Sequence, residues 1–462
     1  MKKGMLYIMI ANIICLLIGV LSNFILPRFL SIDSYAIIKT YTLYISYAGF
    51  LTLGYSDGMY FKYGGRSIRD LSSTDVGSNF KCFLALQIVL GAGVFIVATC
   101  MDSVLLQCLA FGMLGTNLLS YLSIFLQATG EFKDYGVILS FEKIVVFIAN
   151  MVCLLLVRTD NANIYILILV AAALGVSVLF IIKLQKNIPF LGRGRLKAAE
   201  FKENISMGFI LMLGNFSSTL FTGMDRWFVK TLLATADFAM FSFAVSMESM
   251  LNVFMSPITV SMYNYFCKKP AREKIFEIKQ MVILWGFIAI LAAFPAKWVL
   301  ENFLQTYLAA SSVLFILFAA QVFYVVVRGI HVNIYKANRQ QKRYLYQMVL
   351  MTVVAFVLNL ILYYLFKNMV AIAAGTLLTA MIWFVLCELR SDQIRVGIRE
   401  ILFIGIMLTI YLICGYSFNA VVGCLVYLVS GGLVGLLLMR KSLLLLLDTV
   451  KTAILQLLGR QP

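Results

Sequence analysis

The chain has 462 residues, 62% of them hydrophobic and only 13% charged, with a formal net charge of +17, whereas soluble domains carry roughly 25% charge and about 45–50% apolar residues. No soluble fold hides that much apolar surface, so a globular enzyme or binding module is excluded. In a soluble protein +17 would point to nucleic acid, but here the placement of the charge makes it a topology signal and leaves no nucleic-acid partner.

A spanning helix takes about 20 apolar residues. The N-terminus, Met1-Lys2-Lys3 followed by an apolar stretch to Leu26, has the charge of a secretion signal but too long a core and no small-residue cleavage site. It reads as the first spanning helix, about 5–29. Further apolar runs follow at about 36–61, 80–100, 104–128, 136–157, 163–183, 205–224, 237–263, 280–297, 306–330, 345–366, 369–388, 400–416 and 419–439. They predict an all-α membrane protein with about fourteen transmembrane helices. Polar residues interrupt or shorten the runs near 36–61 and 280–297. From Ser442 to Leu458 the chain is apolar but holds Asp448 and Lys451, which predicts an interfacial helix rather than another crossing.

The connections check this count independently, because positively charged loops stay in the cytoplasm. With the N-terminus inside, the clusters around Lys62–Lys81, Lys183–Lys202, Lys268–Lys279, Arg328–Arg343, Arg390–Arg399 and Arg440 onward all fall on the inner side. Of the 38 Lys and Arg residues only Arg28, Lys39, Arg158, Arg226, Lys230, Lys297 and Lys367 fall on the outer half. A missed helix would invert the pattern downstream, and no inversion occurs. Both termini are therefore expected in the cytoplasm.

The longest connection, 185–204, is basic and contains Pro189, Gly192 and Gly194. It predicts an N-terminal six-helix lobe over 1–184, a cytoplasmic linker over 185–204 and a C-terminal six-helix lobe over 205–389. Helices 13 and 14 follow over 390–440, and an amphipathic cytoplasmic tail over 441–462. An even number of helices before the linker gives the two lobes the same orientation, as in parallel repeats. Arg28 and Arg226 occupy corresponding places, each followed by apolar residues, an Asp and an aromatic that opens the next helix.

Three stretches carry a family resemblance: "LPRFLSIDSYAIIKTY" across the first outer turn, "LGYSDGMYFKYGG" at the inner end of helix 2, and "MDRWFVKTLLATADFAMFSFA" after helix 7. Their order and spacing, over nearly the whole chain, resemble the polysaccharide biosynthesis transporters, the oligosaccharide-lipid flippases of the multidrug/oligosaccharidyl-lipid/polysaccharide exporter superfamily. The chain departs from them at Ala36 and at Ala236-Asp237-Phe238, where the family often has Gly and a Gly-x-Tyr pattern. The resemblance implies a MATE-like fold in the bacterial cytoplasmic (inner) membrane. It also implies transfer of an undecaprenyl-diphosphate-linked O-antigen or other oligosaccharide repeat unit to the outer leaflet by alternating access. The partners implied are that glycan, membrane lipids and other polysaccharide-assembly proteins, with the chain itself a monomer. A drug/cation antiporter and a lipid-linked peptidoglycan precursor flippase are the alternatives.

An ionisable residue inside a membrane is by default a functional candidate. Arg28 and Arg226 suit a diphosphate, since guanidinium offers planar bidentate donors; the other reading is snorkelling to water, with Asp225 neutralising Arg226 locally. Lys39 and Lys297 add positive potential to an outer vestibule, or Lys297 snorkels beside Trp298. Glu248, the deepest acid, carries a coupling ion or bonds a neighbouring helix. Asp57 pairs with a cavity cation or, as its position suggests more strongly, caps the broken end of helix 2 beside Gly54 and Gly58. Glu142 and Lys143, adjacent in sequence, are expected on different faces of helix 5 at the inner interface. His331, the single His, is expected to be structural, with no metal site around it. The sequence has no phosphate-binding GxxxxGK[ST] loop and no nucleophile-base constellation. It implies no enzyme and no cofactor, with membrane potential, H+ or Na+ as the driving force.

Overall fold

The computed structural model describes residues 2–186, 188, 190–191, 194–268, 270–338, 340–390 and 394–457. Pro189 and Gly192 of the expected linker, and 458–462 of the tail, lie outside them. The described residues are helical throughout with no strand. In chain order the helices are α1 Lys2–Phe29, α2 Ile32–Ile45, α3 Tyr55–Tyr63, α4 Ser73–Cys100, α5 Val104–Ala128, α6 Phe132–Val152, α7 Ala162–Leu184, α8 Ala198–Leu232 and α9 Thr235–Cys267. They continue with α10 Arg272–Ala289, α11 Ala293–Asn302, α12 Ala310–Val326, α13 Val332–Ala337, α14 Gln341–Phe366, α15 Met369–Leu389, α16 Ile398–Ser417, α17 Ala420–Leu438 and α18 Arg440–Leu457.

Every expected apolar run has its helix or helix pair, and among the described residues twelve segments are long and apolar enough to cross a membrane by length and composition. This is a multi-pass membrane protein. The remaining two runs are the broken pair α2–α3 and the 33-residue α9. Starts are set by short polar side chains: Ser31, Ser103, Asn161, Asn368 and Asn419 each accept a backbone N–H from the first turn of the helix they precede.

The chain divides into two compact units, 1–223 and 224–462. The division falls within α8, downstream of the basic connection at 185–204. In the first unit α5 is the hub, packed by α2, α3, α4, α6 and α7, while α1 lies on α6. The core around it is aromatic, with Phe83 stacked on Tyr121 at 4.5 Å between ring centres. In the second unit the hub is α12, almost wholly buried and packed by α9, α10, α15 and α16. Counting spanning segments, α5 is fourth in the first half and α12 fourth in the second, and in both units that segment packs on the second, third and sixth. Helices α16 and α17 pair with each other, and α18 lies against α10 and α17 through Lys441–Glu277 at 2.8 Å.

Candidate functional site

Polar groups in the first unit gather where the second expected span breaks. Between α2 and α3 the chain makes a 3-10 turn over Ala48–Thr52, after which Leu53 and Gly54 both take left-handed backbone angles, φ +52° and +79°. A break inside a membrane frees carbonyls that lipid cannot satisfy. Two buried amides meet them: Asn117 Nδ2 donates to Ala48 O at 3.0 Å and to Gln87 Oε1 at 2.8 Å, and Gln87 Nε2 donates to Leu51 O at 3.3 Å. Both come from helices that read as apolar, α5 and α4.

The break opens a cleft of about 180 Å³. Its walls are Tyr47 and Phe50 from the turn, Ser56 and Asp57 from α3, Ser120 and Ile124 from α5, and Met212, Asn215, Phe216 and Thr219 from α8. Phe50 stacks on Phe216 at 4.1 Å between centroids, and Tyr47 meets Phe216 edge-on at 6.3 Å. Asp57 sits in the first turn of α3, where the helix dipole favours a negative charge. Gly54 occupies the N-cap and no side chain caps that end, so Asp57 is presented to the cleft rather than used as a cap. One carboxylate, an amide, several hydroxyls and stacked rings form a small set of polar groups on an aromatic surface, the pattern of a small-molecule site.

One side of this cleft is held by a close crossing of α3 and α8. A Cβ on Gly58 would collide with the backbone of Asn204, and one on Gly208 with the backbone of Gly54 and Gly58. Only glycine lets these helices approach so closely. Beyond the crossing, Lys62 Nζ reaches Glu200 Oε1 at 3.2 Å and Glu203 Oε2 at 3.1 Å. Asn79 Nδ2 donates to the same Glu200 at 3.3 Å and accepts at Oδ1 from Tyr121 OH at 2.8 Å.

The other candidates of this unit lie elsewhere. Arg28 is exposed in the last turn of α1. Lys39 Nζ donates to Asn23 Oδ1 at 3.1 Å and stands over the Tyr35 ring. Neither lines the cleft. Glu142 and Lys143, expected on different faces of their helix, nevertheless pair: their long side chains bend toward each other at 2.9 Å.

In the second unit Asp225 is buried and accepts from Asn359 Nδ2 at 2.6 Å and Thr376 Oγ1 at 2.5 Å, from α14 and α15. Both neighbours turn a donor toward the carboxylate, which is how a buried acid is satisfied. Glu248 on α9 accepts a hydrogen bond from Gln321 of α12; the neighbouring-helix bond expected as one alternative is present. Arg226 is half-buried, one residue beyond Asp225. Lys297 is 7% exposed, and its Nζ donates to Gly415 O at 2.7 Å and Phe418 O at 2.6 Å, with Glu301 at 3.6 Å. It caps the last turn of α16 and is neither a snorkelling residue nor an open vestibule cation. His331, in a π-helical turn after α12, places Nε2 2.9 Å from Glu388 Oε1, and Lys279 pairs with the same carboxylate.

The sequence reading missed the polar cleft set and the Lys279–Glu388–His331 cluster. A signal for the first existed in the run Asn215-Phe216-Ser217-Ser218-Thr219 inside an apolar helix. Lys279 carried no such signal, because a basic residue beside a basic loop reads as loop.

No family model matches the chain, and no curated protein matches it. Solved structures do. The chain is similar to a lipid II flippase, MurJ, in an inward closed conformation, with 12% identity over 94% of this chain and 98% of that one and a TM-score of 0.66. It is also similar to a multidrug resistance MATE family transporter of the MOP superfamily in an inward-facing conformation, with 13% identity over 82% of this chain and 95% of that one and a TM-score of 0.50. At such identities the likeness is one of architecture, and the chain has the fold of these multi-pass transporters.

Proposed function

We propose that the chain is a flippase carrying a lipid-linked oligosaccharide from the cytoplasmic to the outer leaflet of a bacterial inner membrane, with both termini in the cytoplasm. The observation that carries this reading is the cleft at the α2–α3 break. A carboxylate and an amide for sugar hydroxyls stand beside a stacked pair of rings whose outer faces suit the apolar face of a sugar. Its fold, shared with a lipid II flippase at a TM-score of 0.66, agrees with a saccharide-bearing lipid as cargo. An undecaprenyl-diphosphate carrier of about two negative charges moving outward gains about 4–5 kcal/mol per 100 mV of membrane potential, enough to drive the flip without ATP. Asp225, buried and held by Asn359 and Thr376, is the acid we assign to coupling with Na+ or H+.

The test is transfer of a labelled lipid-linked oligosaccharide in proteoliposomes, read by an impermeant lectin. Asp57→Asn and Phe50→Ala are each expected to slow transfer about tenfold, a loss of about 1.4 kcal/mol. Full rates in both variants would remove the cleft from the mechanism, and unchanged transfer after collapse of the potential would remove the driving force proposed.

A second reading, a drug/cation antiporter, is favoured by one observation: among the described residues Asp57 is the one charged group lining the cleft. Efflux of a fluorescent organic cation from the same vesicles, abolished by Asp57→Asn, with no lipid transfer, would establish it instead.

A further inference from the structure

A second polar hollow adjoins the first along α5. It is a groove of about 460 Å³ between α1, α5 and α6. Ser120, Ser123, Ile124 and Gln127 form one stripe along α5 at helical spacing, and Ser120 and Ile124 line both hollows. The polar surface that begins at Asp57 therefore continues around α5. It ends at Asn12 of α1 and at the paired Glu142 and Lys143 of α6.

The depth of that pair argues against a packing role. With the π-helical turn Cys153–Val157, α6 and its extension run from Phe132 to Val157. Glu142 then stands roughly 9 Å inside the apolar run that begins at 136, at 1.5 Å per residue, deeper than the interface at which it was expected and within a hydrocarbon layer of about 30 Å. Charges at that depth are costly unless they pair with one another or face a water-filled cavity, and these two do both. The pair is not sealed in a core: the side chains are 17% and 55% exposed, and they face the groove.

We propose that this groove is a second saccharide subsite, taking the next, uncharged sugar of a headgroup whose first ring lies in the Asp57 cleft. The inference rests on the flippase reading. The cleft, at about 180 Å³, is smaller than the roughly 300–1,000 Å³ of drug-sized sites and holds little more than one ring. The groove supplies the missing volume. Its charge is balanced, so Glu142 repels an anion and Lys143 repels a cation. Hydroxyl groups suit both, donating to the carboxylate and accepting from the ammonium, and Asn12 and Gln127 offer both roles as well.

The experiment compares two polyprenyl-diphosphate lipids, one bearing a single sugar and one bearing two, in proteoliposomes of the full chain. Glu142→Gln is expected to slow the two-sugar lipid about tenfold and leave the one-sugar lipid at the wild-type rate, while Asp57→Asn slows both. Cys15 also lines the groove and gives a second readout, through its alkylation by a maleimide followed by peptide mass spectrometry. The two-sugar lipid is expected to protect Cys15 in the wild type, and the one-sugar lipid is not. If the wild type moves both lipids and Glu142→Gln moves both equally well, with Cys15 alkylated at one rate throughout, the subsite is wrong and the flippase reading stands. If the wild type moves neither lipid, both fall together.

Discussion

Lys279 of α10 and Glu388 of α15 form an ion pair inside the second unit, with 0% and 4% of their surfaces exposed. His331 shares the same carboxylate oxygen at 2.9 Å. Backbone completes two of the contacts: Glu388 Oε2 accepts from Val396 N at 2.8 Å, and Lys279 Nζ donates to Ile394 O at 2.9 Å. The cluster therefore fastens the segment that leads into α16.

Truncating one member strands the other. Lys279→Ala or Glu388→Ala is expected to cost about 3–5 kcal/mol, whereas the double change Lys279→Met/Glu388→Met costs much less because no buried charge is left alone. Thermal unfolding in detergent checks this; equal losses in the single and double variants would contradict it.

The crossing of α3 and α8 tolerates no side chain at its centre. Gly58→Ala and Gly208→Ala are each expected to destabilise by about 1–3 kcal/mol through forced separation of the helices. Gly214, with open space where its Cβ would sit, is the control: Gly214→Ala is expected to be neutral or stabilising. A melting series on the three variants separates the cases.

Lys297 holds the turn between α16 and α17. Lys297→Met removes two charge-assisted bonds to carbonyls and is expected to cost about 1.5–3 kcal/mol. Hydrogen exchange of the amides at 414–420 should rise well before the rest of the unit; uniform exchange would show that the cap does not control this turn.

Asp160 lies in the connection between α6 and α7. Its Oδ1 accepts from Ser31 N at 2.8 Å, and its carbonyl accepts from Ser34 Oγ at 2.5 Å. Partial burial pushes the carboxyl up, but the hydrogen bonds from Ser31 and Ser34 prevail and hold it below its ordinary value. A depressed value stabilises the fold at pH above the unfolded value, about 3.9, and that contribution disappears as pH falls through the folded one. The melting temperature of the wild type should exceed that of Asp160→Asn at neutral pH, and the gap should close below about pH 4. A gap that widens on acidification would reverse the sign.

The spans were legible in the sequence because hydrophobic length is a strong signal: each apolar run from Met1 to Met439 has its helix, and the polar-interrupted runs near 36–61 and 280–297 are the ones that break into α2–α3 and α10–α11. Tertiary partnership was not legible. Lys297 and Trp298 next to an apolar run read as an interface anchor, but only the return of α16 reveals carbonyls for the ammonium. The pairing of Glu142 with Lys143 was hidden for a local reason, since successive helical positions diverge by 100° while side chains of this length span the gap. Asp57 was singled out for its place at the broken end of helix 2, yet its companions Ser120 and Asn215 come from α5 and α8, and no sequence period links them.

Gln87 and Asn117 are 0% and 2% exposed, at positions where lipid solubility alone would select leucine. A redesign that maximised hydropathy would replace both and so leave the carbonyls of Ala48 and Leu51 without donors. The chain would then gain by mending the kink into one straight helix, closing the cleft as it did so. These two amides mark the boundary between a sequence that inserts into a membrane and one that keeps a working hollow there.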